Sequence, residues 1–151
     1  LEGLYPKAAF LDSREVVLFG EKGFVLYQAD NKKIETQENF ESEINSVFCT
    51  NQKLGFIFKN EDDNGKYRME IYNKAGKKSS TYYFDLDYSG MTADDDEVIL
   101  YNDEEMLIYQ MGGRVRFRGT FNTAVTGVMP SWEDGLYWLI DDQSLREIRI
   151  R

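Results

Sequence analysis

The side chains able to do chemistry in this chain are almost all carboxylates. Asp and Glu number 27 among 151 residues, histidine is absent, and Cys49 is the only cysteine. Without histidine there is no Ser-His-Asp or Cys-His nucleophile system and no His-dependent metal site, and the commonest general base is missing. A single cysteine forms neither an intrachain disulfide nor a thiolate cluster. In the apolar run "SVFCT" it reads as a small core residue rather than a nucleophile. The most ligand-like spacing is "NEDDNG", which sets Asn60, Asp62 and Asn64 at alternate positions before Gly65. Alternating oxygen ligands followed by a glycine open a calcium loop. The match then breaks down, because the first ligand is Asn rather than Asp and the twelfth position is Ile71, where a bidentate Glu is needed. A hairpin turn built on Asn-Gly explains the same residues more simply.

Acid–base catalysis needs carboxyl groups whose environments push their pKa values apart. The acids here crowd polar turns, with no apolar pocket evident around any pair. Gly112-Gly113 lies in a strand turn and opens no helix, so it is not a phosphate loop. The hydroxyl-rich "KKSSTYYFD" reads as a solvated strand, and alternation obliges at least one ring among Tyr82, Tyr83 and Phe84 to point outward. Trp132, in the turn "PSWEDG", is a second candidate for an exposed aromatic, whereas Trp138 in "LYWL" reads as buried. Exposed aromatics bind sugar faces or protein partners.

The elements that must carry these residues are strands. Aromatic residues make up 15% of the chain, with ten Tyr and ten Phe, a composition suited to a pleated, packed surface. No long window holds a helical apolar stripe, and "FESEINSVF" is too short to count as one. Short apolar runs between polar turns recur instead: "VVLF", "FVLY", "FIF", "MEIY", "VILY", "MLIY", "LYWL" and "LREIRI". They predict an all-β chain. A formal charge of -9 disfavours nucleic acid as a partner. No run approaches a membrane span, and "LEGLYPK" is not a signal peptide.

The runs repeat. "VVLF", "GFIF", "VILY" and "LYWL" begin at Val16, Gly55, Val98 and Leu136, at spacings of 39, 43 and 38 residues. Their partners "FVLY", "MEIY", "MLIY" and "LREI" begin at Phe24, Met69, Met106 and Leu145, and the long hairpin "KNEDDNGKYR" accounts for most of the irregularity. A shorter segment precedes each pair, with a small residue (Ala9, Ser46, Gly90, Gly127) just before a bulkier one. Three units continue into a polar segment, and the last stops at Arg151 without one.

A small-residue strand, two apolar strands and a polar strand, repeated about every 40 residues, resemble a β-propeller of four-stranded antiparallel blades. The expected blades span approximately residues 8–40, 44–86, 88–123 and 124–151, in one propeller domain or propeller fragment, the last blade lacking its outer strand. The WD dipeptide and the kelch double-glycine signature are missing. What remains is similar to the degenerate WD-like or quinoprotein-like blades of many bacterial secreted or envelope proteins, and to an uncharacterised group of membrane-anchored propellers from Gram-positive bacteria. An unpaired edge invites association. Residues 1–7 are the one segment within the chain able to supply the missing strand, with Pro6 confining it to an edge. The favoured expectation is a larger parent ring of six to eight blades, and self-association of the shorter chain through its incomplete blade.

Blade assignment sorts the acids. The loops joining the second and third strands hold Glu21, Glu61, Asp62, Asp63, Asp103, Glu104, Glu105, Asp141 and Asp142 against Lys22 and Lys66, and the loops into the next blade add Glu41, Glu43, Asp85 and Asp87. The opposite turns mix Lys32, Lys33, Lys74, Lys77, Lys78, Arg114 and Arg116 with Asp94, Asp95, Asp96 and Glu97. A one-signed face steers basic partners, although charged turns also serve plain solubility. The resemblance implies a non-enzymatic scaffold that binds a protein or peptide, without a cofactor, at the bacterial cell envelope or exterior. The alternative is a glycan-binding or glycan-processing propeller using clustered carboxylates and exposed aromatics.

Overall fold

Short apolar runs separated by polar turns leave the backbone polar groups one economical solution, a ladder between successive strands. The structure is a computed structural model and describes residues 5–150. Those residues form fifteen strands in four antiparallel sheets and no helix. The first sheet runs β1 (Lys7–Phe10), β2 (Glu15–Phe19), β3 (Gly23–Gln28), β4 (Lys33–Asn39); the second runs β5 (Ile44–Cys49), β6 (Lys53–Lys59), β7 (Tyr67–Asn73), β8 (Lys78–Phe84). The third runs β9 (Gly90–Ala93), β10 (Glu97–Tyr101), β11 (Glu105–Gln110), β12 (Arg114–Thr120). The fourth holds β13 (Gly127–Pro130), β14 (Leu136–Ile140) and β15 (Leu145–Arg149) and, as expected, no outer strand among the described residues. Of the segment proposed to close the ring, residues 1–4 lie outside the described residues, and Lys7 already belongs to β1.

The chain divides into two compact units after Phe84. In the first unit, Leu54 to Phe58 are buried at every position, on both faces of the ladder, which is why that run does not alternate. One face of this sheet packs Leu54, Phe56, Phe58 and Tyr72 against Val17, Phe19, Phe24 and Leu26 of the first sheet. Phe40, from the connection between the two sheets, packs against that core, 4.9 Å from Phe58 and 5.1 Å from Phe56, while Phe24 stacks on Phe56 at 4.9 Å. Cys49 is half-buried beside the cluster, and burial pushes its thiol pKa up. In the second unit, Ile99, Met106 and Ile108 of the third sheet pack on Val128, Tyr137 and Leu139 of the fourth. The outer strands are polar, and in β8 Tyr82 and Phe84 are buried while Tyr83 points out. β15 is mostly exposed, so its "LREI" is not a buried central strand.

Two local devices recur and position the polar groups. Each complete sheet carries a β-bulge where its third strand meets its outer strand, leaving Glu35, Ser79 and Arg116 out of register. A bulge re-aims the extra side chain. The second device is a side-chain oxygen that closes a hairpin by accepting the two N–H groups two and three residues on. Asp12 does this for Arg14 and Glu15, Thr50 for Gln52 and Lys53, and Asp94 for Asp96 and Glu97. Asn102 and Asp141 do the same for Glu104 with Glu105 and for Gln143 with Ser144.

Candidate functional site

Glu97 begins β10 and shares a face with Ile99 and Tyr101, the face turned toward the fourth sheet. Only 6% of it is exposed, so it is not the surface turn acid expected from its neighbours Asp94 to Asp96. A buried carboxylate needs donors. Tyr137 supplies its hydroxyl at 2.8 Å from Glu97 Oε2, and Arg116 donates Nη1 to the same oxygen at 3.2 Å. Arg116 reaches it from the bulge of β12, and its Nη2 lies 2.7 Å from Asp134 Oδ1. Burial pushes the Glu97 carboxyl up, against the opposing pull of Tyr137 and Arg116. The hydrogen bond to Asp134 raises Arg116, and burial raises Tyr137.

Glu97, Arg116 and Asp134 of this network line a cleft of about 530 Å³ within the second unit. Asp94 and Asp96 enter from the β9–β10 turn, and Pro130 to Gly135 wall it from the β13–β14 turn. Ser131 Oγ is buried without a hydrogen-bond partner. Trp132 stands at the rim, 92% exposed. An indole held beside carboxylates attracts a cation through the ring face and through charge.

The sequence-predicted site residues are brought together only in part. In the first unit Glu61 and Asp62 line a cleft of about 630 Å³ with Glu41 and Glu43, and Lys22, Lys59 and Arg68 line it too. Asp63 and Asn64 are exposed on the loop outside it. Asn60 donates its side-chain amide to the carbonyls of Asp62 (3.2 Å) and Gly65 (2.9 Å), closing the loop on itself. Gly65 sits at φ +143°, which favours glycine. Among the described residues no three acids or cysteines converge to hold a metal.

In the second unit Asp103 and Glu104 work through their main chain. Their carbonyls accept N–H groups from Val125 and Phe121, as those of Glu21 and Lys22 do from Ile44 and Phe40 in the first unit. Glu105 lies 3.6 Å from Arg118. Asp141 is taken up by its own turn, and Asp142 is an exposed turn tip. Antiparallel pairing puts these turns at the strand ends opposite Trp132. Sequence reasoning missed the Glu97–Arg116–Tyr137 network; the available signal was an acid heading an apolar run with no lysine or arginine nearby in sequence. The first unit has a counterpart it also missed. Glu70, 6% exposed, accepts from the Tyr72 hydroxyl at 2.8 Å and pairs with Arg68 at 3.2 Å and Lys78 at 3.4 Å.

The sequence matches the family DUF5711, described as a family of unknown function, over residues 2–150. The chain belongs to DUF5711. No curated protein matches this DUF5711 chain. Among solved structures it is similar to BBS1N in complex with ARL6DN (13% identity, 100% of this chain and 53% of that one, TM-score 0.64). It is similar to the computationally designed Ika8 protein (12%, 99% and 48%, TM-score 0.66) and to Kluyvelomyces marxianus Hsv2 (10%, 98% and 49%, TM-score 0.59). At such identities the likeness is one of fold, and the fold is propeller-like. The DUF5711 chain spans about half the length of these structures.

Proposed function

We propose that this DUF5711 chain is a non-enzymatic propeller-like scaffold that binds a basic protein segment or peptide in the Trp132 cleft. The observation that carries the reading is Trp132, fully presented at the rim of a cleft whose walls hold Asp94, Asp96, Glu133 and Asp134. The cleft has one guanidinium, Arg116, and that is already engaged by Glu97 and Asp134. Glu133 is likewise paired with Arg149, so a lysine or arginine side chain entering over the indole would meet the carboxylates of Asp94 and Asp96. The absence of histidine from the sequence and the ion-paired state of Glu97 both favour binding over catalysis. A propeller-like relative in fold, BBS1N, is known in complex with a protein, ARL6DN. The resemblance to envelope propellers favours the cell envelope as the setting, with the partner presented there.

Titration with a fluorescein-labelled peptide of alternating lysine and glycine tests this. Binding should quench Trp132 emission and be lost in Trp132→Ala and in Asp94→Asn/Asp96→Asn. It should persist in Asp103→Asn/Glu104→Gln, whose charges lie at the other strand ends. Equal loss in both acidic pairs would sink the cleft as the site. Exposed indole beside carboxylates also suits a sugar face, which is the second reading. Glycan-array binding that depends on Trp132, with no peptide binding, would favour it.

A further inference from the structure

We infer that the side chain selected by the Trp132 cleft is arginine, with lysine a poor substitute; this rests on reading the cleft as a site for a basic segment. The acids left to meet a ligand there, Asp94 and Asp96, sit on one turn whose backbone is held at several points. The Asp94 N–H donates to the Glu97 carbonyl at 3.0 Å, and Asp94 Oδ1 accepts the N–H groups of Asp96 and Glu97 at 2.8 Å each. The Asp96 carbonyl accepts the Met111 N–H at 2.8 Å. Oδ1 of Asp94 is thereby committed to the turn, and Oδ2 remains for a ligand. The Asp96 side chain is exposed beside it. Among the described residues neither acid is in an ion pair.

Carboxylates fixed in this way suit a rigid fork of donors better than a compact, strongly hydrated ammonium, because a planar guanidinium loses less freedom for each hydrogen bond it makes. The cleft already holds one guanidinium on that principle. Arg116 Nη1 lies 3.2 Å from Glu97 Oε2 and Nη2 lies 2.7 Å from Asp134 Oδ1, one plane bridging a carboxylate of the third sheet and one of the β13–β14 turn. The other cation that reaches the acids of this turn is also an arginine, Arg149, at 2.6 Å from Glu133 Oε1. No lysine lines the cleft among the described residues. Trp132 supplies the other half of the selection. Its ring is 92% exposed at the rim, and a guanidinium stacks flat on an indole face while its N–H groups point sideways to acceptors. An ammonium over the same ring has no plane to stack.

Labelled peptides of alternating arginine and glycine, lysine and glycine, and citrulline and glycine test this, citrulline keeping the planar group without its charge. The arginine peptide should bind about ten-fold more tightly than the lysine peptide, and the citrulline peptide should not bind. In Trp132→Leu, which keeps an apolar side chain and removes the ring, the preference for arginine should fall to roughly unity. Far-ultraviolet circular dichroism of that variant should be unchanged, because the substituted side chain is exposed. Equal wild-type affinities for the arginine and lysine peptides would overturn the inference and leave the basic-peptide reading standing. A preference undiminished in Trp132→Leu would overturn it as well, since selection would then not use the indole. Citrulline binding as tight as arginine would do the same for the carboxylates. Binding of none of the peptides would sink this inference and the basic-peptide reading together.

Discussion

Burial holds the Glu97 carboxyl above the usual carboxylate range even with Tyr137 and Arg116 beside it. Relative to the unfolded chain, the fold thus shifts this carboxyl toward its protonated form. Its stabilising contribution is complete below the unfolded-state value and is lost as pH rises through the folded one. Asp141 behaves oppositely: hydrogen bonds from the Gln143 N–H and from Ser144 lower it, so its contribution is present above the unfolded value and lost as pH falls. Thermal unfolding between about pH 3.5 and pH 7 should show both signs. The melting-temperature advantage of wild type over Glu97→Gln should be larger at the acid end, and that over Asp141→Asn larger at the neutral end. Packing at single residues is equally specific. Gly55 pairs directly with Phe48, and a Cβ there would fall 1.9 Å from the buried ring. Gly55→Ala should cost about 1–3 kcal/mol in urea unfolding, since the buried ring has to shift out of its packed position. A change under half of that would mean the ring swings aside freely.

At the level of the element, one turn design serves five hairpins, with an Asp, Asn or Thr accepting the N–H groups two and three residues on. Asp94 shows its value, because the same turn feeds Glu97 into the cleft. Asp94→Ala removes two acceptor contacts and should lower stability by roughly 1–2 kcal/mol. Asp94→Asn keeps the oxygen and should lie close to wild type. Equal losses in chemical denaturation would show that charge, not turn closure, is what Asp94 contributes. The bulges are the complementary device. All three complete sheets have one, and only in β12 does the displaced residue carry a guanidinium, Arg116, which reaches Glu97 from there.

Across the whole molecule, a charge of -9 sets how partners approach. Binding of a lysine-rich peptide should weaken several-fold between about 50 and 500 mM salt, as screening length shrinks below the cleft dimensions. Titrations at both salt concentrations check this. A salt-independent peptide affinity would count against the acidic cleft.

Much of this was readable along the chain. Repeated spacing of "VVLF", "GFIF", "VILY" and "LYWL" determines where the central strands lie, and the polar third-to-fourth segments mark the outer strands, because both signals are local in sequence. The missing outer strand of the fourth sheet is likewise visible as a missing segment. The membership of the clefts is not. Glu97 looks like one more acid of the "DDDE" turn until the fourth sheet covers it and Tyr137, forty residues on, donates to it. Conversely, Asp141 looks like a free surface charge until its own backbone folds round it. Strand register assigns a side chain to one face of a sheet, but whether water or another sheet lies over that face depends on packing between sheets, and burial is what turns a carboxylate from a solubilising charge into part of a site.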